Sequence, residues 1–474
     1  MNKLILCGIF IILLLTASAS SGCINDTRTL EEKLTGLDNV ISVEKLNSNG
    51  AEKYLVTYSV PLDWNNPSLG SMPLRVEIMP REGGSEYTVV QTEGYILQDA
   101  ALKSDEPCEL ASVLGANYVH IEHRFFGGSA PEDFSYDDTK YWEYLTAENF
   151  AKDQHMIITG LKNIFPGKYV ITGSSKGGLD AALFMYYYPQ DVALTVAYSA
   201  PCCVDFNDKR MMPYVYREAG NMLYSEEEAA NYRRMITEFQ EFCMVHRDVL
   251  APKYYETALA EGCTLRESCT ADTLFDVAVL DVAIETWQSR HSLEDFRTFL
   301  AMPENTKSAL DAKISAAFSI LHAIEPTERW SASSPYYPYF YQTAHEIGLY
   351  YYDFSYIRDA LQIDGLKAEV SVTREEEENL IAHIMLTEEQ NALVSYDPKT
   401  IEGFRKWISV TDSKFILIYG AGDPWYSVKI PKNPGNPNVV EYVSSNQSHQ
   451  VSIENGFDEE TKKQIIADIY AALA

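Results

Sequence analysis

Tyr169-Val170-Ile171-Thr172-Gly173-Ser174-Ser175-Lys176-Gly177 reads as a strand that breaks sharply and restarts as a helix. An aromatic and three β-branched residues lead in, the composition of a half-buried strand. Leu179 to Tyr187 follows with helical character. Between them stands G-x-S-x-G centred on Ser175, with Gly178 as a further small residue. Five-residue patterns arise by chance, and Ser and Gly at a helix start can simply be capping residues. The strand–turn–helix context gives the pattern its meaning. A nucleophile elbow needs that geometry to hold a serine hydroxyl clear of the backbone, and side chains beside the serine would clash in so tight a turn. Ser174 fits the outer variable position, not the centre.

A serine hydroxyl is a poor nucleophile until a base takes its proton. In this arrangement the chain order is serine, then acid, then histidine. Phe415-Ile416-Leu417-Ile418-Tyr419 reads as a buried strand and runs into Gly420-Ala421-Gly422-Asp423-Pro424-Trp425. That puts Asp423 at the C-terminal end of a strand, where open α/β sheets place their sites. The competing reading is an ordinary turn aspartate before proline. Of nine histidines only His449 lies beyond Asp423, in the polar loop Ser444 to Gln450. Ser175, Asp423 and His449 are therefore the expected catalytic triad. The oxyanion should meet the backbone N–H of Lys176 and a second donor from Thr92-Glu93-Gly94-Tyr95, either Gly94 or Tyr95.

Strand-like runs at Tyr54–Val60, Leu74–Ile78, Tyr87–Val90, Tyr118–Glu122 and Tyr169–Thr172 alternate with helix-like segments such as Thr146 to Phe165. Such alternation implies a mostly parallel sheet. After Pro201 the pattern changes. Val204 to about Lys399 reads as helices, among them Glu226 to His246, Leu274 to Arg290 and Glu375 to Leu393, and strands return at Phe415 and Val439. The expected architecture is an α/β-hydrolase sheet domain interrupted by a large helical cap. Residues 1–22 form a targeting segment, 25–203 and 400–474 the sheet domain, and 204–399 the cap. The aromatic tract Pro335 to Gln342 and Tyr350-Tyr351-Tyr352 suit either cap packing or the apolar wall of a pocket.

Lys3 followed by apolar Leu4 to Leu15 and small residues Thr16 to Gly22 reads as a secretory signal, too short for a comfortable membrane span. Ala17-Ser18-Ala19 suits ordinary cleavage. Ser20-Ser21-Gly22-Cys23 looks like a lipobox, which would anchor the chain by lipid on Cys23. The expected location is outside the cytoplasm: periplasmic, surface-anchored or secreted. The formal net charge of −30 repels phosphate backbones and argues against nucleic acid. Six cysteines beyond Cys23 permit disulfides, with Cys263 and Cys269 the easiest local pair. No CxxC pair or histidine cluster suggests a metal, and no metal or organic cofactor is expected.

Several segments are similar to one peptidase family. Glu122-His123-Arg124-Phe125-Phe126-Gly127-Gly128-Ser129 resembles the EHRYYG-x-S segment of the prolylcarboxypeptidase and dipeptidyl-peptidase II serine peptidases. Tyr144 to Asn149, Tyr188-Pro189, Tyr198-Ser199-Ala200-Pro201, Gly422-Asp423-Pro424-Trp425 and Tyr341-Gln342 resemble further motifs of that family. The Gly-Ser-Ser-Lys-Gly-Gly elbow is closer to its bacterial branch, the secreted tripeptidyl aminopeptidases. Lys176 stands where the main family has an aromatic residue, and Ser448-His449-Gln450 lacks the usual flanking residues, which leaves a preference for proline open.

The resemblance implies an exported serine exopeptidase that releases di- or tripeptides from substrates with a free N-terminus, through an acyl-enzyme on Ser175. An esterase or lipase on the same fold, or a non-catalytic peptide-binding lipoprotein, are the rival readings. Glu93, which has a counterpart in the family's G-N-E-G loop, and Glu346 are the candidate anchors for a substrate ammonium. Gln342 and Trp425 are further candidate substrate contacts.

Overall fold

The computed structural model describes residues 27–46, 50–289 and 293–474. The expected signal segment, 1–22, and Cys23 lie outside the described residues. Nine strands form a single sheet: β1 (Val40–Lys45), β2 (Tyr54–Pro61), β3 (Ser71–Met79), β4 (Tyr87–Thr92), β5 (Asn117–Ile121), β6 (Lys168–Ser174), β7 (Leu194–Tyr198), β8 (Phe415–Gly420) and β9 (Val439–Ser444), in the order β1-β2-β3-β5-β4-β6-β7-β8-β9. β1, β2, β3 and β5 pair antiparallel along one side. From β5 through β4 to β9 every pairing is parallel. This is the α/β-hydrolase architecture with a helical insertion between β7 and β8.

Two helices fix the centre of the sheet: α1 (Ala147–Leu161) and α2 (Lys176–Tyr187). Thr146 caps α1 as its sequence suggests, its hydroxyl accepting from the Asn149 N–H. Parallel strands covered on both faces read as continuous apolar runs, and every residue of β5 and β8 is buried. The Glu-His-Arg segment after β5 is a clamp. Glu122 takes two bonds from Arg75, at 2.5 and 2.7 Å. Arg124, fully buried, grips Asp153 of α1 at 2.8 and 2.9 Å and also donates to the carbonyls of Pro61, Leu62 and Tyr144.

Beyond β7 the chain is helical. The centre of this region is α3 (Ala271–Ser289), buried without a break from Leu274 to Trp287. Glu226–Val245 and Arg247–Ala260 pack around it. Lys399–Ile408 returns to the sheet layer, where Tyr186 of α2 meets the rings of Phe404 and Trp407. The last helix, α4 (Glu459–Leu473), closes the opposite face with buried Ile465, Ile469 and Leu473.

The structure corrects two local expectations. Glu375 to Leu393 is not one helix but three short ones, Arg374–Glu377, Leu380–Met385 and Glu388–Leu393, because Thr373 and Thr387 each form a capping box that starts a new turn. Cys263 and Cys269 are unpaired, as are the other four described cysteines. The Cys263 thiol faces the Thr327 hydroxyl at 3.9 Å, and Cys269 is buried in the apolar core. Among the described residues no helix is long and apolar enough to cross a membrane, and no group of three metal-ligating side chains gathers.

Candidate active site

Ser175 sits at the tip of the β6–α2 turn with φ 56° and ψ −127°. Positive φ in a non-glycine residue costs about 1–3 kcal/mol and persists only where its surroundings hold it. Here the Ser175 N–H donates to the Tyr198 carbonyl at 2.9 Å, and the Ser175 carbonyl accepts from Leu179 at 3.1 Å. At Gly173 a Cβ would lie 2.2 Å from the Gly177 carbonyl oxygen, so a side chain there would force the elbow open.

Asp423 follows β8 and is fully buried. Its Oδ1 accepts from the Trp425 N–H at 3.0 Å, and its Oδ2 lies 2.8 Å from Nδ1 of His449. The His449 loop is held by three anchors. The His449 carbonyl accepts from the Ser199 hydroxyl at 2.9 Å, its N–H donates to the Gln288 carbonyl at 3.3 Å, and the Ser448 hydroxyl donates to the Trp287 carbonyl at 2.5 Å. Burial alone would push the His449 imidazolium down. The Asp423 carboxylate and its hydrogen bond, with Glu285 further away, outweigh burial and raise its pKa above the usual histidine value.

The loop after β4 packs directly on the elbow. A Cβ at Gly94 would lie 2.6 Å from the Gly177 nitrogen and 2.9 Å from the Lys176 Cβ, so only glycine allows this approach. The structure thus brings Gly94 and Tyr95 beside the first turn of α2, which begins at Lys176.

Ser175 and His449 open into one cavity of about 900 Å³ between the sheet and the cap. One wall is aromatic: Tyr95, Tyr336, Tyr339, Phe340, Tyr350, Tyr352 and Trp425. The tyrosine-rich tract therefore divides. Tyr336 and Tyr339 face the cavity and meet the Tyr95 ring edge-on, whereas Tyr337 and Tyr341 are buried against Trp142. The lining is also charged. Among the described residues Glu93, Glu261, Asp281, Glu285 and Glu328 line it together with one guanidinium, Arg329, and this acid wall meets the aromatic one where Tyr350 bonds Asp281.

Asp281 and Glu285 stand one turn apart on α3. Arg329 bonds Glu285 at 2.8 Å and Glu325 at 3.1 Å, and lies 4.0 Å from Asp281. Tyr350 donates to Asp281 at 3.1 Å. Burial raises the Asp281 carboxyl to about 7; Arg329 opposes the shift and Glu285 adds to it. Sequence reasoning missed this wall. Its signal is two acids at i,i+4 spacing inside an otherwise apolar run, since charged groups are rarely buried without a task.

Of the candidate substrate contacts, Glu93 and Trp425 line the cavity. Glu93 Oε2 lies 3.1 Å from Nε2 of buried His120, and the Trp425 indole donates to Gln288 Oε1 at 2.5 Å. Glu346 and Gln342 do not line it. Glu346 is buried beneath the first turn of α1, where it accepts from the Ala147 N–H and the Thr400 hydroxyl, both at 2.8 Å. Gln342 is fully buried beside it, on a segment packed inward. Both are interior groups of the cap–sheet junction, which corrects their assignment as substrate contacts.

The family described as PS-10 peptidase S37 matches residues 26–469. The prolyl tri/tetrapeptidyl aminopeptidase of Streptomyces mobaraensis is 24% identical over 400 residues, which covers 84% of this chain and 74% of that protein. The human lysosomal Pro-X carboxypeptidase is 37% identical over 98 residues, 20% of each chain. The solved proline iminopeptidase of Mycobacterium smegmatis is a loose structural likeness, with TM-score 0.34 and 12% identity over 91% of this chain and 99% of that one. The fold class rests on the strand order and the elbow. With a match spanning nearly the whole sequence, the chain belongs to the S37 peptidase family and is a serine peptidase.

Proposed function

We propose that the protein is an aminopeptidase that releases short peptides from substrates with a free N-terminus. The observation that carries this reading is the charged wall: among the described residues, five carboxylates and one guanidinium line the cavity into which Ser175 opens. An exopeptidase of this kind must hold an ammonium at a set distance from the scissile bond. α3 carries two of these carboxylates. Its Gln288 carbonyl holds the His449 loop, and Glu285 and Asp281 stand three and seven residues before Gln288. Glu285 acts on His449 and Asp281 stands one turn further back, so Asp281 suits the ammonium of the longer acyl group. The name of the Streptomyces relative supports the same length class and a preference for proline at the cleaved bond, which the aromatic wall would accommodate.

In this mechanism Ser175 Oγ attacks the scissile carbonyl. His449 presents Nδ1 to Asp423, so Nε2 is the nitrogen that takes the serine proton and later gives it to the leaving amine. Asp423 holds that tautomer. The tetrahedral oxyanion meets the Lys176 N–H and the N–H of Gly94 or Tyr95. Water then attacks the ester with His449 as base, and the released acid is the short amino-terminal peptide. The deciding experiment compares a free-amine peptide with its N-acetyl twin. A large preference for the free amine supports the reading. Equal rates would overturn it in favour of a peptidase that does not read the amino terminus.

Export is proposed from the sequence alone: the apolar run Leu4 to Leu15 and Cys23 suit a secreted or lipid-anchored protein. Palmitate labelling that vanishes in Cys23→Ala would support the anchor, and an unprocessed cytoplasmic chain would overturn export.

A further inference from the structure

Lys176 immediately follows the nucleophile, yet its side chain is only 2% exposed. A lysine is almost never buried without a partner. Its Nζ donates to Asp180 Oδ2, one turn along α2, at 3.0 Å. The same ammonium lies 5.8 Å from the centre of the Tyr95 ring and 5.6 Å from that of Phe126. The two rings meet edge-on at 5.8 Å. Cation–π contact is strongest where the cation is desolvated, and here it is enclosed. Tyr95 belongs to the loop that approaches the elbow through Gly94, and Phe126 to the turn after β5.

The pair is not a comfortable structural ion pair. Asp180 Oδ1 has no partner among the described residues, and His123, which donates through Nδ1 to the Arg124 carbonyl at 2.9 Å, turns Nε2 towards Asp180 at 3.8 Å without a hydrogen bond. Burial lowers the Lys176 pKa against the pull of Asp180, Glu93 and Glu346, and raises Asp180 to about 6 against the pull of Lys176. A buried ion pair often contributes no more stability than a well-packed apolar pair. A more useful task is visible in the geometry. The Lys176 backbone opens α2 and offers one expected oxyanion donor. Its side chain reaches back to the ring of Tyr95, whose loop offers the other.

We propose that the Lys176 side chain is a positioning residue for the oxyanion hole, tying the Gly94–Tyr95 loop to the first turn of α2 so that both donors stay aimed at one point. The inference rests on the acyl-transfer reading above. It assigns the buried ammonium a role in transition-state geometry, with substrate binding left to the cavity walls. Removal of a whole oxyanion donor costs about 10²–10³ in kcat. Loosening one donor's loop should cost less, about 10- to 100-fold.

The test uses Lys176→Met, which keeps the aliphatic stem, and the double variant Lys176→Met/Asp180→Leu, which leaves no unpaired carboxylate if the single variant folds poorly. Rates are normalised to active sites counted by fluorophosphonate labelling. The expected result is a fall in kcat of about 10- to 100-fold in both variants, with KM within about twofold. Affinity for a peptide boronic acid, which forms a tetrahedral adduct on Ser175, should fall in parallel, while affinity for the released peptide product stays unchanged. Rescue by Lys176→Arg, in part, would agree. Unchanged kcat and boronate affinity per active site in the double variant, whatever its melting temperature, would overturn the inference. Failure of the underlying reading looks different: wild type would then not label on Ser175 at all.

Discussion

The His449 N–H donates to the carbonyl of Gln288 at 3.3 Å, which joins the loop of the candidate base to the last turn of the central cap helix. The cap therefore does more than cover the cavity. α3 carries Asp281 and Glu285 on one face and holds the histidine loop at its end, so the acid wall and the base share one rigid element.

Ser175→Ala should abolish turnover and covalent labelling while leaving the fold intact. Asp423→Asn and His449→Ala should each lower kcat by roughly 10³ or more, since such residues act as a unit. Undiminished peptide turnover by purified Ser175→Ala would remove the serine from the mechanism.

The anchors of the ammonium separate by substrate length. Asp281→Asn should raise KM for a tripeptidyl substrate about 10- to 100-fold, the scale of a charged hydrogen bond at 1.5–3 kcal/mol, with little effect on a small neutral ester. Glu93→Gln tests the other anchor, a carboxylate that lines the same cavity and meets His120. A larger loss in Glu93→Gln than in Asp281→Asn would return the anchor to the β4 loop.

His449 must be neutral to accept a proton, and its pKa is raised. Activity should therefore be low in acid and rise through a midpoint above the ordinary histidine value near 6.5. Glu285 contributes to that rise, so Glu285→Gln should move the acid limb of kcat/KM to lower pH. A midpoint that stays in place would show that Glu285 does not reach His449.

Asp281 adds a second dependence, in KM. Burial raises its carboxyl against the pull of Arg329, so it takes up a proton at higher pH than an exposed aspartate. Free-amine substrates should bind more weakly as pH falls through that titration, whereas N-acetylated esters should show no such trend. The two KM profiles, measured side by side, check this directly.

Gly94→Ala should lower kcat, because the added methyl would stand 2.6 Å from the Gly177 nitrogen and drive the loop off α2. The loss should exceed that of Gly262→Ala, a positive-φ glycine where an added methyl would meet no heavy atom within 4 Å. Equal effects would separate the β4 loop from catalysis.

The elbow, the acid and the base were legible because each combines a residue type with a strand end. β6 into Ser175 and β8 into Asp423 are local patterns, and His449 followed from order along the chain. β7 was hidden, since Leu194–Tyr198 is a short run between a turn and Ser199 with no alternation to mark it. Glu346 looked free because its partners, Ala147 and Thr400, are 199 and 54 residues away. Asp281 and Glu285 carried a signal, two acids at i,i+4 spacing in an apolar run, but nothing local said what they border. Only the folded cap shows that their face of a buried helix borders a cavity.

The acid wall has a consequence for turnover. The peptide released by hydrolysis carries the same free amino terminus as the substrate, so carboxylates that capture one retain the other. Product must leave against the attraction that selected it. The enzyme should be inhibited by its own short products, competitively and more strongly where Asp281 is ionised. On good substrates, departure of the amino-terminal fragment would then set the ceiling on rate.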